Sequence, residues 1–260
     1  MPFFVIAFLE GLALELIYFS PRRPLANLFN PVVRKFFGPA FVHYPGNLLV
    51  LPKLFYYAQI VVYIFIGVFL ISIAVNIVKN IRQGLPLRTD ALIKNATRNY
   101  LSFFVFGLVM IGCMLLVKKV DVFIFTKFLN LVSAHLPQVL LKLSPYILTL
   151  FLFFSNIILQ TFLVLTIPII VIEKSVALTA LVKSISLGFR NFISIFALIS
   201  LPFLVYLPII ILKTGAGTLA SKTFPEINLY IAVLGIILTV FMECFIVVCA
   251  TQFLLDKKQK

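Results

Sequence analysis

Between residues 54 and 78 the chain carries no charged side chain, and five further stretches are nearly as apolar: 3–19, 100–117, 146–172, 192–212 and 229–255. These runs constrain the fold more than any other feature. About 20 apolar residues at about 1.5 Å of helical rise match the thickness of a bilayer's hydrocarbon core. In lipid every backbone N–H and C=O must be satisfied within the segment, so each run reads as a helix. None alternates apolar with polar residues as a barrel strand would. Composition agrees: of 260 residues 62% are hydrophobic and 12% charged, where a soluble domain carries about a quarter charged. Mean hydropathy is +1.16. The expectation is an all-α, polytopic membrane protein forming one integral membrane domain over residues 1–260, with six transmembrane helices. The first run is the shortest and holds Glu10 and Glu15, so a helix on the membrane surface is its alternative. It has neither the basic start nor the small-residue cleavage site of a signal peptide.

The linkers are not ordinary solvent loops. Residues 20–53 hold Pro21, Pro24, Pro31, Pro39, Pro45 and Pro52 among aromatic and basic side chains, which argues against a long helix and for a headgroup-level segment. Residues 119–143 carry apolar side chains near one helical face and Lys119, Thr126, Lys127 and Asn130 on the other, reading as a second interfacial segment. Residues 86–98 and 175–190 are a third and fourth. In the last, Ser175, Thr179, Lys183, Ser186 and Arg190 recur at helical spacing opposite Leu178, Leu181, Val182, Ile185 and Phe189.

Two of these linkers share a pattern. Ala91-Leu92-Ile93-Lys94 recurs as Ala180-Leu181-Val182-Lys183, and Arg98-Asn99-Tyr100-Leu101-Ser102 as Arg190-Asn191-Phe192-Ile193-Ser194. Each copy follows one span and enters the next, with two spans between them, which predicts a parallel internal repeat with halves near 54–118 and 146–212. Lys94, Arg98, Lys183 and Arg190 are the candidate contacts to lipid headgroups or a partner.

The pattern of Pro168, an aliphatic stretch, Glu173, then Ala180, Leu181, Ser184 and Gly188 before the next span resembles a broad group of bacterial inner-membrane proteins. That group includes the membrane domain attached to some glycerophosphodiester phosphodiesterases. The resemblance implies a six-helix fold in the bacterial inner membrane with both termini cytoplasmic. The phosphodiesterase domain has no counterpart here, so that activity is not implied. Basic residues, which favour the cytoplasmic side, divide equally between the two sides and do not settle orientation.

The net charge of +14 belongs to linkers that flank spans, where anionic headgroups attract cations, so membrane lipids rather than nucleic acid are the expected partner. A protein partner or a second copy is the other expectation. His43 and His135 sit apart, and Cys113, Cys244 and Cys249 lack metal or redox spacing, so no cofactor or metal is expected. The glycine-rich residues 213–218 lack a phosphate-binding signature and read as a turn. No enzyme signature is present, and the expectation is that the chain is not an enzyme.

What remains is an intramembrane polar inventory: Glu243, Glu10, Glu15, Asn156 and Gln160. A charge at the bilayer centre costs about 2.5–3.5 kcal/mol on insertion scales, so such residues turn toward a polar interior or a pathway. Glu243 is the leading candidate, with a hydrogen bond to Asn156, Gln160 or Gln59 as its structural alternative. Glu10 and Glu15 point about 140° apart and form no carboxylate pair by themselves. The expected function is a non-catalytic membrane subunit or scaffold that contacts lipids or partners; the alternative is a small transporter of a lipid or solute with Glu243 in its pathway.

Overall fold

The computed structural model describes residues 2–19, 26–44, 46–132, 138–222 and 226–259, and every regular element among them is helical. In chain order these are α1 (Pro2–Tyr18), α2 (Ala26–Phe37), a 3-10 turn (Pro39–Val42), α3 (Gly46–Val62), a π-helical turn (Tyr63–Gly67) and α4 (Val68–Arg82). There follow α5 (Thr89–Arg98), α6 (Tyr100–Val132), α7 (Gln138–Leu163), α8 (Thr166–Glu173), α9 (Ala177–Arg190), α10 (Phe192–Lys222) and α11 (Ile227–Gln259). Five continuous stretches are long and apolar enough to cross a membrane: Gly46–Arg82, Tyr100–Leu131, Leu143–Glu173, Phe192–Gly215 and Ile227–Lys257. The chain is a multi-pass integral membrane protein.

The sixth expected span is α1. Its 17 residues make it shorter than the other five. It packs against α3, α4 and α11, and it buries Ile6, Glu10, Leu14 and Ile17 along one stripe while Phe4, Phe8 and Leu16 face outward. Phe3 and Ile6 join the core around Val68 and Ile71, while Leu14 and Ile17 pack with Leu48 and Leu51, so α1 runs antiparallel to the α3–α4 span. At one end of the bundle Arg82 pairs with Asp256 at 2.8 Å. At the other, Tyr44 donates to Glu226 at 3.0 Å. The start of α1, the end of α11, α5 and α9 therefore share one end.

Proline excludes helix less strictly than the sequence suggested. Pro31 lies inside α2 and Pro52 inside α3. Pro52 has no N–H for the carbonyl four residues back, at Leu48. The Asn228 side chain supplies the missing donor, giving Nδ2 to the Leu48 carbonyl at 3.1 Å. Residues 119–132 also depart from expectation: they continue α6 without a break instead of forming a separate surface helix. At about 1.5 Å per residue that helix is longer than the hydrocarbon core is thick, so its basic end can reach the headgroups while remaining one helix. Residues 213–218 do not turn either but continue α10. Two glycines weaken a helix by about 1 kcal/mol each without forbidding it, and Thr214 is held by the Ile210 carbonyl and by Thr149.

Segments 86–98 and 175–190 are largely helical, as α5 and α9, and each meets the following long helix at a single asparagine, Asn99 or Asn191. The faces of α9 differ from those read in the sequence. Its buried stripe is Ala177, Ala180, Ser184 and Gly188, whereas Leu178, Val182 and Phe189 face outward. Close approach selected small residues, not the most apolar ones. Ser184 Oγ donates to the Phe162 carbonyl at 2.7 Å, and a Cβ on Gly188 would lie 3.2 Å from Phe162 Cα and 3.3 Å from the Thr161 carbonyl oxygen.

Candidate functional site

Two spans are interrupted within the bundle. The first passes through the π-helical turn at Tyr63–Gly67, a geometry that recurs at functional sites. The second breaks at Val164 and Leu165, between α7 and α8. Pro168 belongs to this break, because it removes the N–H that the Val164 carbonyl would accept. A neighbouring hydroxyl supports each interruption: Tyr100 donates to the Phe65 carbonyl at 3.0 Å, and Ser184 to that of Phe162. The aromatic surroundings correspond as well. Tyr100 stacks on Phe104, and Phe192 stacks on Phe196 while lying 5.9 Å from Phe162.

Between the interruptions lies a cavity of about 350 Å³ to which α1, α3, α4, α6, α7, α8, α10 and α11 all contribute. The π-helical turn adds Tyr63, and the α7–α8 break adds Leu163, Val164, Ile167 and Pro168. Most of the wall is apolar or aromatic. Its polar groups are Glu10, Gln59, Gln160, Thr239 and Glu243, with the hydroxyls of Tyr56, Tyr63 and Tyr206.

Of the residues singled out from sequence, Glu10, Gln160 and Glu243 meet at this cavity. Glu10 is only 7% exposed and accepts a hydrogen bond from Gln59 Nε2 at 3.1 Å. Glu243 lies near the midpoint of the Ile227–Lys257 span and has no hydrogen-bond or ion-pair partner among the described residues. The expected partners are engaged or free of it: Gln59 serves Glu10, Asn156 donates to its own helix at the Leu152 carbonyl, and Gln160 makes no side-chain bond among the described residues. Asn156 and Glu15 are not in the cavity wall, and Glu15 is exposed. The divergence of Glu10 and Glu15 read from their spacing is what separates these two carboxyls.

The four interfacial cations are all exposed. Lys183 pairs with Glu173 at 2.5 Å; Lys94, Arg98 and Arg190 make no ion pair among the described residues. His43 is exposed and His135 lies outside the described residues. No group of three or more metal-ligating side chains occurs among the described residues.

Sequence reasoning missed the wall itself. Met110, Met114 and Met242, every methionine except the first residue, line the cavity, as do Tyr63, Phe106 and Phe203. In a chain this apolar such residues carry no local signal. Tyr63 Oη donating to Met110 Sδ at 3.6 Å joins residues far apart in sequence. Comparison with family models, curated proteins and solved structures finds no match for this chain.

Proposed function

We propose that the chain is a small ligand-binding membrane protein of the transporter type, which takes a lipid-like or amphiphilic small molecule into the cavity between its spans. The observation that carries this reading is Glu243: a carboxyl near mid-span with no hydrogen-bond or ion-pair partner among the described residues, on the wall of a cavity bounded by two interrupted helices. A carboxyl there costs too much to be retained for packing, and a purely structural one would be hydrogen-bonded across to another helix. Interrupted helices around a central site are a recurring way to build a binding site at membrane depth. The corresponding stacked pairs Tyr100–Phe104 and Phe192–Phe196 favour the parallel internal repeat, with each half contributing one interruption. The thin polar lining suits a ligand that is mostly apolar. We place the protein in a bacterial inner membrane, with the shared end of α5, α9 and both termini facing the cytoplasm. The resemblance noted for Pro168 through Gly188 supports that placement.

A second reading, a non-catalytic membrane subunit or scaffold, draws on one observation. Val176, Leu178, Val182, Phe189 and Ile193 form an outward apolar stripe on and beside α9, which could seat lipid, a second copy or another membrane protein. Native mass spectrometry of the protein purified in mild detergent separates the readings. A small molecule bound to wild type and absent from Met110→Trp, whose larger indole would obstruct the cavity, supports ligand binding. A stoichiometric protein partner with an empty cavity supports the scaffold instead.

A further inference from the structure

The cavity wall also indicates what charge the ligand carries. Glu10 and Glu243 are its two acidic groups. Lys213 donates its Nζ to the Tyr206 hydroxyl at 3.2 Å, and its charge reaches Glu10. Lys213 is exposed and outside the cavity wall, and no Lys, Arg or His is among the lining residues, so a carboxyl ionised in this poorly solvated space has no counter-charge on the wall itself. Carboxylates so placed attract a cation and repel an anion. The rings point the same way. Tyr56 lies under Lys118 and Tyr206 under Lys213, at 5.6 and 5.7 Å, while Tyr63, Phe106 and Phe203 face the cavity with no cation over them among the described residues. Aromatic faces hold organic cations, and the three methionines supply soft surface that adapts to an apolar body. A hydrated metal ion is a poor fit, because no cluster of three ligating side chains is present among the described residues.

We propose that the ligand is a lipophilic monocation, a molecule with an apolar or aromatic body and one quaternary or protonated nitrogen or phosphonium centre, held between Glu10 and Glu243. This rests on the cavity being a ligand site. The test is equilibrium dialysis of the full-length protein in mild detergent with labelled tetraphenylphosphonium. Unlabelled tetraphenylborate, an anion of the same shape, and neutral triphenylphosphine oxide serve as competitors. Saturable binding of one cation per chain is expected, with little competition from the borate. Glu243→Gln should bind at least about 30-fold more weakly, the fold-change for breaking a desolvated charge pair, and Glu243→Asp should retain most of the affinity. Should Glu243→Gln fail to give a monodisperse protein, Glu10→Gln and the charge series on wild type decide. Equal binding of cationic, neutral and anionic probes, or full affinity in both Gln variants, overturns the charge assignment and leaves the cavity reading standing. Absence of binding by every probe, with Met110→Trp indistinguishable from wild type, overturns both.

Discussion

The Asn228–Leu48 contact gives a sharp test of how this chain satisfies its backbone inside the membrane. Pro52 leaves the Leu48 carbonyl without its helical donor, Leu48 is 2% exposed, and the Asn228 amide at 3.1 Å replaces that donor. Asn228→Ala therefore strands a buried acceptor, which costs about 1–3 kcal/mol. Pro52→Ala restores the N–H, so the same Asn228→Ala change made in that background should cost roughly 1 kcal/mol less or better, the value of a regained hydrogen bond. The double-mutant cycle isolates this coupling from any general effect of either substitution. Reversible unfolding in mixed micelles, titrated with a denaturing detergent and followed by circular dichroism, measures all four proteins. A coupling energy indistinguishable from zero would refute the reasoning, since Asn228 would then matter for something other than the carbonyl freed by Pro52.

Other predictions follow the same logic. Gly188→Ala places a methyl 3.2 Å from Phe162 Cα and should lose about 1–3 kcal/mol to overpacking, outweighing the gain in helix propensity. Gly112→Ala meets nothing within 4 Å and should be neutral or gain up to about 1 kcal/mol, so the thermal melt should fall for Gly188→Ala and hold level or rise for Gly112→Ala. Ser184→Ala removes the donor to the Phe162 carbonyl and should cost about 1–3 kcal/mol, while Ser186→Ala, exposed on the same helix, should leave the melt unchanged. The Arg82–Asp256 pair joins side chains that are 48% and 57% exposed. Asp256→Asn should therefore shift stability by no more than about 1 kcal/mol, and raised salt should erase even that; a larger, salt-resistant loss would show the pair to be desolvated by something outside this chain.

How much of this was legible in the sequence depends on the range of the interaction. The apolar runs declare themselves because the bilayer reads each one separately, and α5 and α9 follow from spacing within a few turns. Glu10, Gln160 and Glu243 stood out because a polar group in lipid is costly wherever its helix packs. The π-helical turn has no signature, since nothing in Tyr63–Gly67 distinguishes it from the apolar helix on either side. The break at Val164 did have a signal in Pro168, but Pro31, Pro52, Pro202 and Pro208 carry the same signal inside continuous helices. What separates them is tertiary: Asn228 repairs the backbone at Pro52, whereas Ser184 and Gly188 hold α9 against an open turn beside Pro168. The inward face of α9 was misread for a related reason. Hydrophobicity predicts which face leaves water, but in a bundle already surrounded by lipid, side-chain volume decides which face another helix can approach.

The central claim, that Glu243 faces a polar-accessible cavity and not lipid or packed protein, is tested most directly by thiol chemistry. In a background with Cys113→Ala, Cys244→Ala and Cys249→Ala, single cysteines are introduced as Glu243→Cys, Thr239→Cys and Val205→Cys, the last at a position that is 61% exposed on the outer face. Native membranes are then treated with a small cationic methanethiosulfonate, and labelling is read by mass shift. The account predicts that positions 243 and 239 are modified, that tetraphenylphosphonium protects position 239, where both carboxyls remain, and that position 205, bathed in hydrocarbon where no thiolate forms, stays unmodified. Labelling confined to position 205, with 243 and 239 inert, would contradict it.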